Sequence, residues 1–138
     1  MSISLSQTFI TVDDHDGALT FYRDAVGLEV RNDVGFGEFR WVSVGAPEQP
    51  DVTIVLESPL ADPNAAEADR RTVRDLMARG LLRGAIFGTD DCDAVFDQVR
   101  AGGGEVLQEP VDRPYGVREC AFRDPAGNMV QFHQPLAG

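Results

Sequence analysis

Lysine is absent from the 138-residue chain, and arginine supplies all 12 of its basic residues. Schiff-base catalysis through a lysine amine is therefore excluded. Cysteine is scarce: Cys92 and Cys120 stand alone, without the paired spacing of a metal knuckle or the density of a disulfide scaffold. Two unclustered thiols fit a reducing cytoplasm. No apolar run reaches the length of a membrane span. The opening residues Met1-Ser2-Ile3-Ser4-Leu5 lack the basic segment of a secretory signal. The expected location is cytoplasmic, with no membrane partner. Basic charge is also in short supply, 12 residues against 23 acidic ones, for a net charge of -11. Such a surface repels phosphate backbones, so nucleic acid is not an expected partner. It favours a cationic small molecule, although acidity also serves plain solubility.

What remains is enough for a packed core, with 43% hydrophobic residues. Leu5 to Val12 reads as a strand, and Asp16 to Val26 as a helix carrying Leu19, Tyr22 and Val26 at helical spacing, stopped by Gly27. Strands follow near 28–33, 38–44 and 52–57, with Val34-Gly35-Phe36-Gly37 and Gly45-Ala46-Pro47 as turns. Residues 58–66 have linker composition, and a short helix covers 67–79. The first pattern then returns: a strand at 82–89, a helix at 93–101 stopped by Gly102-Gly103-Gly104, and strands at 105–108, 117–123 and 128–134. Asp124-Pro125-Ala126-Gly127 is a strong turn.

A shift of 77 residues superposes Asp13 on Asp90, Asp14 on Asp91, Asp16 on Asp93, Arg23 on Arg100 and Gly27 on Gly104. Shared identities in a shared order of elements indicate a duplicated β-α-β-β-β unit. The acidic pairs recur at both helix starts, where capping and dipole compensation explain them. Cys92 lies near a helix N-terminus, where a thiolate can be stabilised, although a small residue at a helix start is the simpler reading.

The segments Phe9-Ile10-Thr11-Val12-Asp13-Asp14, Ala18 to Leu28 with its Phe21-Tyr22 and Gly27-Leu28 pairs, and Phe122 to Asn128 carry a family signature. On them the chain resembles the vicinal oxygen chelate superfamily, which includes glyoxalase I, the bleomycin-resistance proteins and extradiol dioxygenases. The resemblance implies an α+β fold in which two β-α-β-β-β modules form a curved, mostly antiparallel sheet around a cleft. Residues 1–138 would be a single domain, with module 1 at 1–58, a linker with a short helix at 59–80 and module 2 at 81–138. A homodimer is the expected assembly, because open sheet edges are commonly covered by a second copy.

Metal enzymes of the family place two ligands in each module. By resemblance those positions fall on Gln7, on Gly84, on Gln131 and on either Val55 or Glu57. Counting back from Pro59 favours Val55, as does a shift of 76 that pairs Val55 with Gln131 and Glu57 with His133; a slip of two residues selects Glu57. Such a set is poor in donors for a divalent ion, so no metal and no cofactor are expected. Extradiol chemistry would need two histidines and a carboxylate on one face. The only histidines are His15 and His133, and His15 is expected at the first helix, away from the cleft.

Strand alternation then selects a lining. Gln7 carries Phe9 and Thr11 with it, Gln131 carries Met129 and His133, and Val55 carries Thr53 and Glu57. Phe39, Trp41 and Ser43 share a face, with Arg40 opposite toward solvent, while Phe36, Tyr115 and Arg118 are placed near the mouth. The expected ligand site is Gln7, Phe9, Phe39, Trp41, Val55, Glu57, Tyr115, Arg118, Met129, Gln131 and His133. Aromatics with a few polar groups suit a planar organic ligand. A cationic compound fits the charge, and a neutral polycycle fits the aromatics equally well.

The leading reading is a metal-independent protein, similar to the bleomycin-resistance branch, that sequesters an aromatic or amphipathic antibiotic or metabolite. One alternative is a glyoxalase I-like, metal-dependent lyase or isomerase. Another is a metal-free enzyme in which Glu57 and His133 form an acid–base pair.

Overall fold

The structure, a computed structural model, describes residues 1–59 and 62–137; Leu60 and Ala61 of the expected linker and the final Gly138 lie outside the described residues. Strand β1 (Gln7–Thr11) leads into helix α1 (His15–Leu19). Asp14 caps α1, its carboxylate accepting from the Asp16 and Gly17 amides at 3.2 and 3.1 Å. The helix expected as far as Val26 changes hydrogen-bond pattern after Leu19 and runs as a π-helix from Thr20 to Ala25. Val26 N–H donates to the Phe21 carbonyl, five residues back. Phe21, Tyr22 and Ala25 all lie in the core.

Strands β2 (Glu29–Phe36), β3 (Phe39–Gly45) and β4 (Thr53–Glu57) complete the first half. The turn expected at 34–37 is shorter than the sequence implies, because Val34 to Phe36 pair with Trp41 to Phe39 in the ladder. Helix α2 (Glu67–Ala78) follows, with Met77 buried. The second half repeats the first: β5 (Arg83–Gly88), α3 (Cys92–Ala101, capped by Asp91 on the Ala94 amide at 3.0 Å), β6 (Glu105–Arg113), β7 (Val117–Arg123) and β8 (Met129–Pro135).

Each half builds a four-stranded mixed sheet, in the order β1-β4-β3-β2 and β5-β8-β7-β6. The second order is the first with four added to every strand. β1 runs parallel to β4, and β5 to β8, while the other pairs are antiparallel. The sheets are two separate ladders that do not close, with edge strands β1 and β5 side by side.

One face of each sheet is covered. Ile10, Val12, Val42, Val44, Ile54 and Leu56 of the first sheet and Cys120, Phe122, Val130 and Phe132 of the second join the helix residues Leu19, Phe21, Tyr22, Phe96 and Val99 in a single core. Burial at about 1.5–3 kcal/mol per large apolar side chain is the main force holding the halves together. Polar ties give the packing its register. The Tyr22 hydroxyl donates to Asp124 Oδ2 at 2.6 Å, Asn128 Nδ2 to the Thr11 carbonyl at 2.7 Å, and Gln98 Nε2 to the Ala25 and Val26 carbonyls at 3.0 Å each. The Asp124–Gly127 turn needs glycine at its end: φ is 114° at Gly127, and a Cβ there would collide with the Met77 carbonyl.

Candidate functional site

Because the helices cover one face of each sheet, strand alternation leaves the other face open. In the first sheet the cross-strand pairs on it are Gln7 with Thr53, Phe9 with Val55 and Thr11 with Glu57. Ser43 lies beside Val55, and Trp41 beside Val34. In the second sheet they are Ile86 with Gln131, Gly88 with His133, Ala121 with Gln131 and Glu119 with His133. Phe9 is thus the counterpart of Ile86, and the register places Val55 opposite Gln131 in the repeat and Glu57 opposite His133. Val55 is covered by its neighbours, at 2% exposure. Phe9, Ile86 and Trp41 are not, at 57%, 61% and 41%. Phe39, at the start of β3, is exposed as well. An uncovered apolar strip of this kind marks a surface that meets something else.

An opening adjoins this strip. The β3–β4 ladder stops at the Val42–Leu56 pair. Beyond it the strands separate around a cavity of about 270 Å³ lined by Phe39, Arg40 and Trp41 on one side and Val55, Leu56, Glu57 and Ser58 on the other, with Asp13, Asp14, His15 and Glu38 completing the wall. His15 therefore lines this cavity, contrary to its expected place away from the site; its Nε2 meets the Leu56 carbonyl at 2.9 Å. Arg40 is no free solvent-facing side chain either. It is held by Asp33 at 2.8 Å and Asp16 at 2.7 Å.

The second sheet carries a polar network whose centre the sequence reading missed. Glu119, only 6% exposed, receives Arg113 Nε at 2.6 Å and the Tyr115 hydroxyl at 2.8 Å on Oε1. Its Oε2 faces His133 Nε2 at 3.0 Å. His133 Nε2 also lies 3.2 Å from Gln131 Oε1. Burial alone would raise the Glu119 pKa, but the Arg113 and Tyr115 hydrogen bonds and the nearby Arg113 and His133 charges outweigh it and hold the carboxyl below its ordinary value. The same bond to Glu119 pushes the Tyr115 phenol up.

The expected Glu57–His133 pair is therefore corrected. The carboxylate partner of His133 is Glu119, its neighbour across the β7–β8 ladder, while Glu57 stands in the other sheet. Arg118 is corrected too. It alternates with Glu119 onto the helix-covered side and is tied to Asp93 and Asp112 at 3.0 Å each, so it does not join Gln131 and His133. Its placement was legible: Cys120 and Phe122 are the apolar partners of its face, which leaves Glu119 and Ala121 for the other. Tyr115, through its bond to Glu119, does reach the open-face network, and Met129 lies beside Gln131, whose Nε2 approaches its sulfur at 3.9 Å. Cys92 and Cys120 are both buried, and burial pushes both thiols up, which disfavours a reactive thiolate at the α3 terminus.

The four positions that would hold a family metal do not suit one. Gln7 and Gln131 offer neutral amides, Val55 offers an alkyl group, and Gly84 offers nothing. A Cβ at Gly84 would already crowd Val130 Cγ2 at 3.1 Å and the Met129 carbonyl at 3.3 Å. Among the described residues, no three His, Cys, Asp or Glu side chains gather as a metal-holding group.

Comparison with known proteins places this geometry. The chain is 37% identical to UcmS2, whose crystal structure superposes with a TM-score of 0.87 over 96% of this chain and 98% of that one. It is 31% identical to TnmS3, an antibiotic binding protein from Streptomyces sp. CB03234, with a TM-score of 0.74 and 98% of both chains covered. It is 28% identical to a probable lactoylglutathione lyase from Synechocystis sp., over 94% of each chain. The family model of the Glyoxalase/Bleomycin resistance protein/Dioxygenase superfamily matches residues 4–132, and the chain belongs to that superfamily.

Proposed function

We propose that this protein binds an aromatic or amphipathic small molecule without a metal and sequesters it, with antibiotics as the leading ligand class and resistance as the outcome. The observation that carries this reading is the exposed strip of Phe9, Trp41, Phe39 and Ile86 on faces that also present amide, carboxylate and imidazole groups. Planar ligands gain from stacking on such rings, and a few fixed polar groups orient them. The likeness to TnmS3, a protein named for antibiotic binding, supports the same class.

A homodimer belongs to the proposal. Each chain leaves both open faces uncovered, and a second copy brought against them would enclose a ligand between a sheet of one chain and a sheet of the other. So do the division into modules at 1–58 and 81–138 around a 59–80 linker and a cytoplasmic location, which two free, buried thiols favour.

Native mass spectrometry of protein purified without added metal tests the reading, followed by titration with zinc, nickel and manganese. A dimer mass free of metal, taking up an aromatic compound stoichiometrically, is the expected result. Tight, stoichiometric metal uptake would contradict it and favour a lyase.

A further inference from the structure

A cavity lies between β3 and β4 beside the open face. We propose that it is a subsite for a protonated amine carried by the ligand, with the Glu57 carboxylate as counter-ion and Trp41 and Phe39 as aromatic walls. This rests on the reading of the open face as a ligand site and narrows the ligand to a cationic one.

Six titratable side chains face the cavity: Asp13, Asp14, His15, Glu38, Arg40 and Glu57. Four are engaged. Arg74 holds Asp13 at 3.1 Å, the α1 amides occupy both Asp14 oxygens, and His15 bonds the Leu56 carbonyl. Arg40 is divided between Asp33 and Asp16, so its charge is already balanced. Glu57 and Glu38 have no side-chain hydrogen bond or ion pair among the described residues. Glu38 is exposed to solvent, but Glu57 is part-buried. Trp41 lines the same cavity, and its indole N–H has no hydrogen-bond acceptor among the described residues.

A part-buried, unpaired carboxylate sets the preference. A neutral ring seated over it removes more of its water and returns no partner, which costs free energy. An anion adds repulsion. An ammonium group returns the charge partner and also lies against two aromatic faces, where cations are attracted. The volume of about 270 Å³ is ample for such a substituent. The flat part of the ligand would then extend along the open face toward Phe9. The net charge of -11 adds long-range attraction for the same class.

The test uses two probes of the same ring and nearly the same size, the cationic 9-(aminomethyl)anthracene and the neutral 9-(hydroxymethyl)anthracene. Affinity is read by calorimetry and by quenching of Trp41, the only tryptophan in the chain. The ammonium probe is expected to bind about tenfold tighter, the equivalent of one charge-assisted contact. Glu57→Gln should abolish that preference, while Glu48→Gln on an exposed turn should preserve it and so control for net charge. Circular dichroism confirms that both variants are folded. Equal binding of the two probes, a preference that survives Glu57→Gln, or an equal loss in Glu48→Gln would each overturn the subsite and leave the aromatic-binding reading standing. Failure of both probes to bind the wild-type protein would overturn both.

Discussion

His133 Nε2 lies 3.0 Å from Glu119 Oε2, and the other oxygen of that carboxylate is held by Arg113 at 2.6 Å. A carboxylate that accepts hydrogen bonds from Arg113 and Tyr115 beside the guanidinium charge titrates low, and its folding contribution depends on pH in a definite direction. The folded-state pKa of Glu119 lies below its ordinary value of 4.5. Fewer protons are then bound by the folded than by the unfolded chain in acid. The contribution is fully present above that ordinary value and is lost as pH falls through the folded one. Glu119→Gln is expected to lower stability at neutral pH and to flatten the acid limb of the stability curve. Urea midpoints collected from pH 7 down to pH 3 check this; parallel curves for variant and wild type would refute the network.

The tie between the halves gives a second prediction. Asp124 is buried and accepts from the Ala126, Gly127 and Asn128 amides, from Asn128 Nδ2 and from the Tyr22 hydroxyl. Tyr22→Phe removes one bond to this acceptor and is expected to cost about 1.5–3 kcal/mol. Asp124→Ala strands several donors at once and is expected to cost about 3–5 kcal/mol. Burial, then the neighbouring Asp124 charge and hydrogen bond, push the Tyr22 phenol far above its ordinary 10.0. Its contribution is complete below that value and declines as pH rises toward the folded one. The stability gap between wild type and Tyr22→Phe should therefore narrow in strong alkali, as denaturant titrations would show.

Assembly yields a third. If a second copy covers the open faces, a charge placed there must be desolvated on association. Phe9→Asp or Ile86→Asp is expected to weaken the dimer at least tenfold while the single chain stays folded. Sedimentation velocity across a concentration series reads this directly. A wild-type protein that sediments as a monomer at high concentration would remove the basis for a covered face.

Metal removal supplies the fourth. Under the proposed metal-independent reading, with only two neutral amides offered by Gln7 and Gln131 and no donor from Val55 or Gly84, exhaustive chelation is expected to leave thermal stability and ligand affinity unchanged. A fall in melting temperature on chelation, restored by zinc or nickel, would reverse that conclusion.

Much of the fold was legible in the sequence because it is written twice. The 77-residue shift that superposes Asp13-Asp14 on Asp90-Asp91 corresponds to two sheets of identical strand order. Alternation also grouped Gln7 with Phe9 and Gln131 with His133, whereas the face of Trp41 follows only from the register that sets Ser43 beside Val55. The rest depended on local departures from regular geometry or on long-range register. The apolar positions of 16–26 fit ordinary helical spacing, so the change to π-helical bonding at Thr20–Ala25 leaves no mark in the pattern. Bulges between Arg83 and Ile86 and within β6 defeat counting along those strands. The Glu119–His133 pair depends on the antiparallel register of β7 against β8, set by the Asp124–Gly127 turn, and Glu119 carried no motif of its own. The cavity at His15 arises where a ladder ends, an event that pattern along one strand does not mark.

Saturation binding of a neutral planar probe without chelating groups, 9-(hydroxymethyl)anthracene, to metal-stripped protein bears most directly on the central claim. Trp41 lies on the proposed binding face and is the only tryptophan, so its emission reports occupancy without a label. The account predicts saturable quenching with one site per chain, unaltered by added zinc, nickel or manganese, and lost in Phe9→Ala. Quenching that appears only after metal is added, or none that saturates, would contradict it.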